Sequence, residues 1–169
     1  NGELESTPSF ISEPLYTFSC AMGDADADGD IDIAVACGDS YNNRTNNARI
    51  FINNNGNFNA VAEWQSRDKI GAMDCKFADF DQNGFLDVVF GCDQNPSIIF
   101  LADNTGIIDT LPDWESVENI NVNSLDVGYV NDDIYPDLIA SNNNQQTGSD
   151  GKNRMWTFSE NIPPSSEAS

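Results

Sequence analysis

Three observations predict an all-β chain made of three four-stranded antiparallel units of about fifty residues each. Turn chemistry and apolar runs recur at a nearly fixed spacing along the 169 residues. The apolar runs are short, rich in β-branched residues, and bounded by glycine, aspartate and asparagine, which are strand signals. No stretch carries a helical period. Four-stranded units at this period are how propeller blades look in sequence, whereas a β-sandwich has no reason to repeat its turns at a fixed interval.

The repeats can be followed in order. Asn1-Gly2-Glu3-Leu4 matches Asn55-Gly56-Asn57-Phe58 and, more loosely, Asn104-Thr105-Gly106-Ile107. Asn55-Gly56 reads as a hairpin turn, because positive φ suits both residues. An aromatic-x-Ser step follows in each unit: Phe10-Ile11-Ser12, Trp64-Gln65-Ser66 and Trp114-Glu115-Ser116. Strands at 18–23, 73–78 and 122–128 then lead into acidic loops. Strands at 33–37 and 88–92 leave the first two loops, and apolar strands at 48–52, 97–102 and 154–158 close the units. The expected unit limits are 1–54, 55–103 and 104–161, with 162–169 as a tail or linker. Residues 42–47 and 142–150 read as Asn-rich surface loops, and Asn43-Arg44-Thr45 is a glycosylation sequon.

The loops carry the chemistry. Asp24-Ala25-Asp26-Ala27-Asp28-Gly29-Asp30-Ile31-Asp32 places carboxylates at positions 1, 3, 5 and 9 and a glycine at position 6. Such crowding of like charge calls for a cation, and hard oxygen donors on a tight loop suit Ca²⁺. The expected ligands are the side chains of Asp24, Asp26, Asp28 and Asp32 with the backbone carbonyl of Asp30. Fifty-five residues on, Asp79, Asp81, Asn83 and Asp87 repeat the donor positions, Phe85 supplies the carbonyl and Gly84 the sixth position. A charge run is usually a solvated acidic turn, and one such loop could arise by chance; the recurrence favours the metal. It is not an EF-hand, because position 12 is Val35 or Phe90 rather than glutamate, and strands rather than helices follow. A dockerin fails on the same missing helix.

The third unit has decayed. Tyr129 replaces the first carboxylate and Ile134 the glycine, and a β-branched residue resists positive φ. A degenerate third site near Asn131, Asp133 and Asp137 is therefore expected to bind calcium poorly if at all.

Cys20 and Cys37 bracket the first loop, and Cys75 and Cys92 bracket the second, each pair 17 apart (37 minus 20, 92 minus 75). If each loop joins two strands of a hairpin, the members of a pair face one another, which predicts disulfides Cys20–Cys37 and Cys75–Cys92. Buried free thiols are the alternative. Metal ligation by cysteine is disfavoured, because no Cys-x-x-Cys spacing or histidine accompanies them. Disulfides and calcium together point to an extracellular or cell-surface setting.

The formal net charge is −21, from 28 acidic and 7 basic residues, with no histidine. Nucleic acid and anionic membranes would be repelled. No apolar run approaches the roughly 20 residues of a membrane span. Asn1 is not a natural start, so the chain is expected to be processed or excised. Without histidine there is no Ser-His or Cys-His pair. Carboxylates that hold a cation are poor proton donors, so an enzyme is not expected.

These residues resemble the FG-GAP/VCBS repeat family, whose blades also build the integrin α head. The match rests on Gly23 to Ile33, on its copy from Asp79 to Val88, on the Asn-x-Gly turn and on the aromatic-x-Ser step. The resemblance implies a β-propeller with calcium in the hairpin between the first two strands of a blade. It also implies a secreted or surface protein acting in adhesion, sugar binding or scaffold assembly. The expected function is a calcium-stabilised extracellular scaffold or adhesion module. The alternatives are a lectin-like propeller or the non-catalytic propeller of a polysaccharide-degrading enzyme. Trp64, Trp114, Trp156 and Tyr41 offer faces for sugar rings, although recurrence at one repeat position marks Trp64 and Trp114 as packing residues. Closed propellers usually carry four to eight blades. Three units therefore predict a larger polypeptide, or partners that are further copies of the chain, alongside a protein or glycan ligand.

Overall fold

The computed structural model describes residue 2 and residues 5–39, 42, 44–143 and 150–159; the expected tail, the sequon asparagine, Tyr41 and most of the loop at 142–150 lie outside these. Among the described residues every regular element is a strand, and no helix is long and apolar enough to cross a membrane. The strands are β1 (Thr17–Gly23), β2 (Asp32–Asp39), β3 (Arg44–Thr45), β4 (Arg49–Phe51), β5 (Asn53–Asn54), β6 (Asn57–Phe58), β7 (Trp64–Gln65), β8 (Ala72–Ala78), β9 (Asp87–Asn95), β10 (Ile98–Phe100), β11 (Trp114–Glu115), β12 (Ile120–Gly128), β13 (Asp137–Asn142) and β14 (Arg154–Trp156).

All pairings are antiparallel. The first sheet runs β1-β2-β4-β7, with β3 extending β2. The second repeats it as β8-β9-β10-β11, and the third as β12-β13-β14. The far end of β9 also pairs with β12, at Ile120–Asn95 and Asn121–Asp93, which joins the second and third units into one sheet.

Strand membership does not follow the expected unit limits. β7 and β11 are the aromatic-x-Ser steps, and each pairs back onto the preceding unit as its outermost strand. Serine makes that possible. Its N–H donates to the carbonyl of Ala48 or Ser97, and its hydroxyl accepts the N–H of the same residue (Ser66 at 3.0 and 3.0 Å, Ser116 at 2.8 and 2.9 Å). The Asn55-Gly56 turn forms as expected, with φ of 54° and 84°, between β5 and β6.

The core lies between units. Alternating strand residues put Ala34, Ala36 and Ile50 of the first unit against Cys75, Val88 and Phe100 of the second, while Val89 and Ile99 meet Val122, Leu125 and Leu138 of the third. A third cluster places Phe10, Leu15 and Phe58 over Val35 and Phe51. The tryptophans cement these contacts. Trp64 packs edge-on against Phe100 at 5.1 Å and donates from Nε1 to the Ile108 carbonyl, and Trp114 packs against Trp156 and Phe158. Gly91 lets β9 and β12 approach closely, since a Cβ there would meet Val122 at 2.6 Å.

The innermost strands meet at a polar hub that sequence reasoning missed. β1, β8 and β12 each carry a bulge at the same place, just before Ser19, Asp74 and Ser124. Asp74 is buried and accepts from Lys76 Nζ (2.9 and 3.0 Å), Ser124 Oγ (2.9 Å) and the Leu125 N–H (2.7 Å). Burial pushes its carboxyl up, but hydrogen bonds from Ser19, Leu125, Lys76 and Ser124 outweigh this and hold it below the ordinary carboxylate value.

The expected cysteine pairing is corrected. All four thiols are free. Each hairpin folds about a point one residue N-terminal of the midpoint between its cysteines, so partners slip past one another. Cys20 stands opposite Val35 and Cys37 opposite Thr17; Cys75 stands opposite Phe90 and Cys92 opposite Ala72. Cys37, Cys75 and Cys92 are buried, and burial pushes the Cys75 thiol up to about 12.

Candidate metal centres

Both acidic loops join the first two strands of a unit, β1 to β2 and β8 to β9. They share one backbone course. Position 4 takes positive φ in each (Ala27 at 60°, Gln82 at 62°), and so does the position-6 glycine (Gly29 at 96°, Gly84 at 92°). Carboxylates inside the loop cap its N–H groups. The Gly29 N–H donates to Asp24 Oδ2 at 3.1 Å and the Gly84 N–H to Asp79 Oδ2 at 2.9 Å. The Asp30 N–H donates to Asp28 at 2.8 Å, and the Phe85 N–H donates to Asn83 at 2.9 Å. These Asx turns set the side chains at positions 1, 3 and 5 around a common centre.

The structure gathers Asp24, Asp26 and Asp28 in one loop, and Asp79, Asp81 and Asp87 in the other, with ligand oxygens within 4.8 Å of one another. Asn83 lies within the second group, its amide donating to Asp81 at 3.3 Å and to the Ala102 carbonyl at 2.7 Å. Asp30 turns its carboxylate outward to accept the Asn55 N–H at 2.8 Å, tying the loop to the β5–β6 turn.

The ninth position does more than its motif suggests. Asp32 and Asp87 are fully buried clamps. One oxygen accepts the N–H of position 2 (Ala25 and Phe80, both 2.6 Å), and the other accepts an N–H just beyond the unit's third strand (Asn53 and Ala102, both 2.8 Å). Asp137 makes the same two bonds in the third unit, to Val130 at 2.8 Å and Phe158 at 3.1 Å. The third loop thus keeps its clamp and its Asx turns at Asn131 and Asp133, while no residue between Tyr129 and Asp137 takes positive φ. Loss of the glycine removes the wrap, as expected for Ile134.

Like charge crowds both loops, and a cation could be held between the carboxylates. Burial raises Asp26, and the neighbouring charges of Asp28 and Asp24 add to this against the Asp28 N–H. Burial raises Asp81 too, with Asp79 reinforcing it. Asp87 is pushed up to about 7, chiefly by burial; the Ala102 and Phe80 N–H groups oppose the shift, and Asp81 and Asp79 increase it. Asp24 Oδ1 supplies the independent test of fit: it is buried and accepts no hydrogen bond. A buried acceptor without a donor is costly unless a cation completes it. A hard dication fits an all-oxygen donor set of this kind.

Residues 24–90 match the FG-GAP-like repeat. The match begins at the first carboxylate of the first loop and ends in β9, so both loops fall inside it. Comparison with curated proteins finds no match. The match is consistent with an FG-GAP-like repeat family, the resemblance expected from the sequence.

Proposed function

We propose that the protein is a calcium-stabilised extracellular scaffold or adhesion module of β-propeller type, with its three units as blades. Ca²⁺ is held by Asp24, Asp26 and Asp28 in the first loop and by Asp79, Asp81, Asn83 and Asp87 in the second. The Asp30 and Phe85 carbonyls are assigned by the loop pattern. The ion's chemistry is electrostatic: it offsets converging carboxylates and fixes the hairpin against the next strand. The observation that carries this reading is the buried, donorless Asp24 Oδ1 beside two further carboxylates.

The extracellular setting is argued by analogy with other oxygen-ligand calcium sites. Those on extracellular modules bind the ion at about 10⁻⁴–10⁻³ M, and a site of that strength fills where calcium is millimolar. The free thiols withdraw the redox argument for that setting, and calcium alone supports it. Sugar binding loses its strongest support, because Trp64, Trp114 and Trp156 are committed to packing between units. The acidic clusters serve cation binding in this reading, not catalysis.

Chelation tests it. A ligand at ten times its Kd stabilises by about 1.4 kcal/mol per site, so two sites give about 3 kcal/mol. At about 2–4 °C per kcal/mol for a chain of this size, a chelator should lower the melting temperature by about 6–11 °C. An unchanged melting temperature rejects the reading.

A further inference from the structure

The register of the three units exposes a mismatch at the ends of the array. Ile50 and Ile99 sit at one position of the third strand, opposite Ala34 and Val89, and both are 1% exposed because the next unit and an aromatic-x-Ser strand cover them. Met155 holds that position in the third unit, opposite Ile139, yet it is 54% exposed and Ile139 is 46% exposed. A groove of about 210 Å³ runs along this face, with Val130, Ile139 and Met155 in its wall. Among the described residues, no strand pairs with the outer edge of β14.

The complement of that face stands at the other end of the array. Phe10 packs on Phe51 at 5.4 Å, as Trp64 packs on Phe100 (5.1 Å) and Trp114 on Trp156 (5.8 Å). Phe51, Phe100 and Trp156 are register equivalents, opposite Ile33, Val88 and Leu138. Phe10-Ile11-Ser12 is thus seated on its own unit as β7 and β11 are seated on theirs. It differs in its outward side. Ser66 and Ser116 bond to a preceding sheet, whereas the Ser12 hydroxyl donates only to the adjacent Glu13 carbonyl, and Ile11 is exposed. Beside it Met22 is 75% exposed, although its equivalents Phe77 and Val127 are packed between units.

We propose that the β14 edge and the Ile139–Met155 face receive the Phe10–Ser12 step and the Met22 face of a second copy, joining chains head to tail. The contact repeats the interface already built twice inside the chain: a two-residue antiparallel strand, a serine bonded to the backbone before β14, and apolar faces closed over one another. Such a contact is heterologous, so it leads to a ring or a filament rather than a two-fold dimer. The charge of −21 on each copy opposes it, so association strengthens as salt screens the repulsion.

Sedimentation of the chain in calcium and salt, alone and as Met22→Glu and Met155→Glu variants, tests this. Wild type is expected at two or more times 18.5 kDa. Each variant, with unchanged melting temperature, is expected as single chains, since one variant has lost the head and the other the tail. An equimolar mixture of the two is expected to form 1:1 pairs through the intact head and tail. A wild-type chain that stays single at every concentration, as when some other polypeptide covers the face, overturns the proposal. So does a variant that associates like wild type, or a mixture that stays monomeric.

Discussion

Replacing Asp74 with alanine should destabilise the protein more than any exposed substitution, because three units meet at that carboxylate. The change removes the acceptor of the Leu125 N–H (2.7 Å), the Ser124 hydroxyl (2.9 Å) and the Lys76 ammonium (2.9 Å). A buried N–H left without a partner costs about 1–3 kcal/mol, and a hydrogen bond to a charged group contributes about 1.5–3 kcal/mol. Lys76 keeps about a third of its side chain in water, so its loss counts for less. The total comes to about 3–5 kcal/mol, the range for breaking a buried pair from one side. At about 2–4 °C per kcal/mol the melting temperature should fall by about 6–20 °C. Asp74→Asn keeps one acceptor oxygen and should lose about half as much. Calorimetry of both variants in saturating calcium separates this effect from the metal loops. A drop below about 2 °C for Asp74→Ala would show that the hub does not bind the units together.

Two further outcomes follow from burial. A thiol reagent should modify Cys20 alone in the native protein and all four cysteines after denaturation, which mass spectrometry reads directly; a disulfide-linked peptide would overturn the register described above. Stability of the calcium-free protein should fall as pH rises from about 4 to about 7. Asp87 binds its proton more tightly folded than unfolded, so its contribution is fully present below the unfolded value of 3.8 and is lost as pH rises through about 7. Calcium should reverse that slope, since protons then compete with the ion. Melting curves with and without chelator across this range check it, and a calcium-free curve that rises with pH would refute it.

Local chemistry was legible in the sequence; relations between distant segments were not. Asn55-Gly56, the glycines at 29 and 84 and the β-branched runs dictate their own conformations, so strands and loops stand where residue types place them. The aromatic-x-Ser step was visible as a repeat, but its pairing with the preceding sheet depends on backbone groups of Ala48 and Ser97 that no side-chain pattern reveals. The cysteine pairing failed for a similar reason: symmetric bracketing does not locate the hairpin axis, and a slip of two residues separates the thiols. Asp32, Asp87 and Asp137 read as one motif position, yet their clamp engages residues 15 to 21 positions away. The hub had a faint signal: Ser19, Asp74 and Ser124 each stand five residues before the first position of their loop, a recurrence of polar residues at one repeat position.

Calcium binding to the two loops is tested most directly by titration calorimetry of the metal-free protein. Two ions per chain with Kd of about 10⁻⁴–10⁻³ M are expected, with Asp24→Ala and Asp79→Ala each abolishing one of them. Absence of binding heat well above that range, or full stoichiometry in the double variant, would contradict the assignment of these carboxylates to the ion.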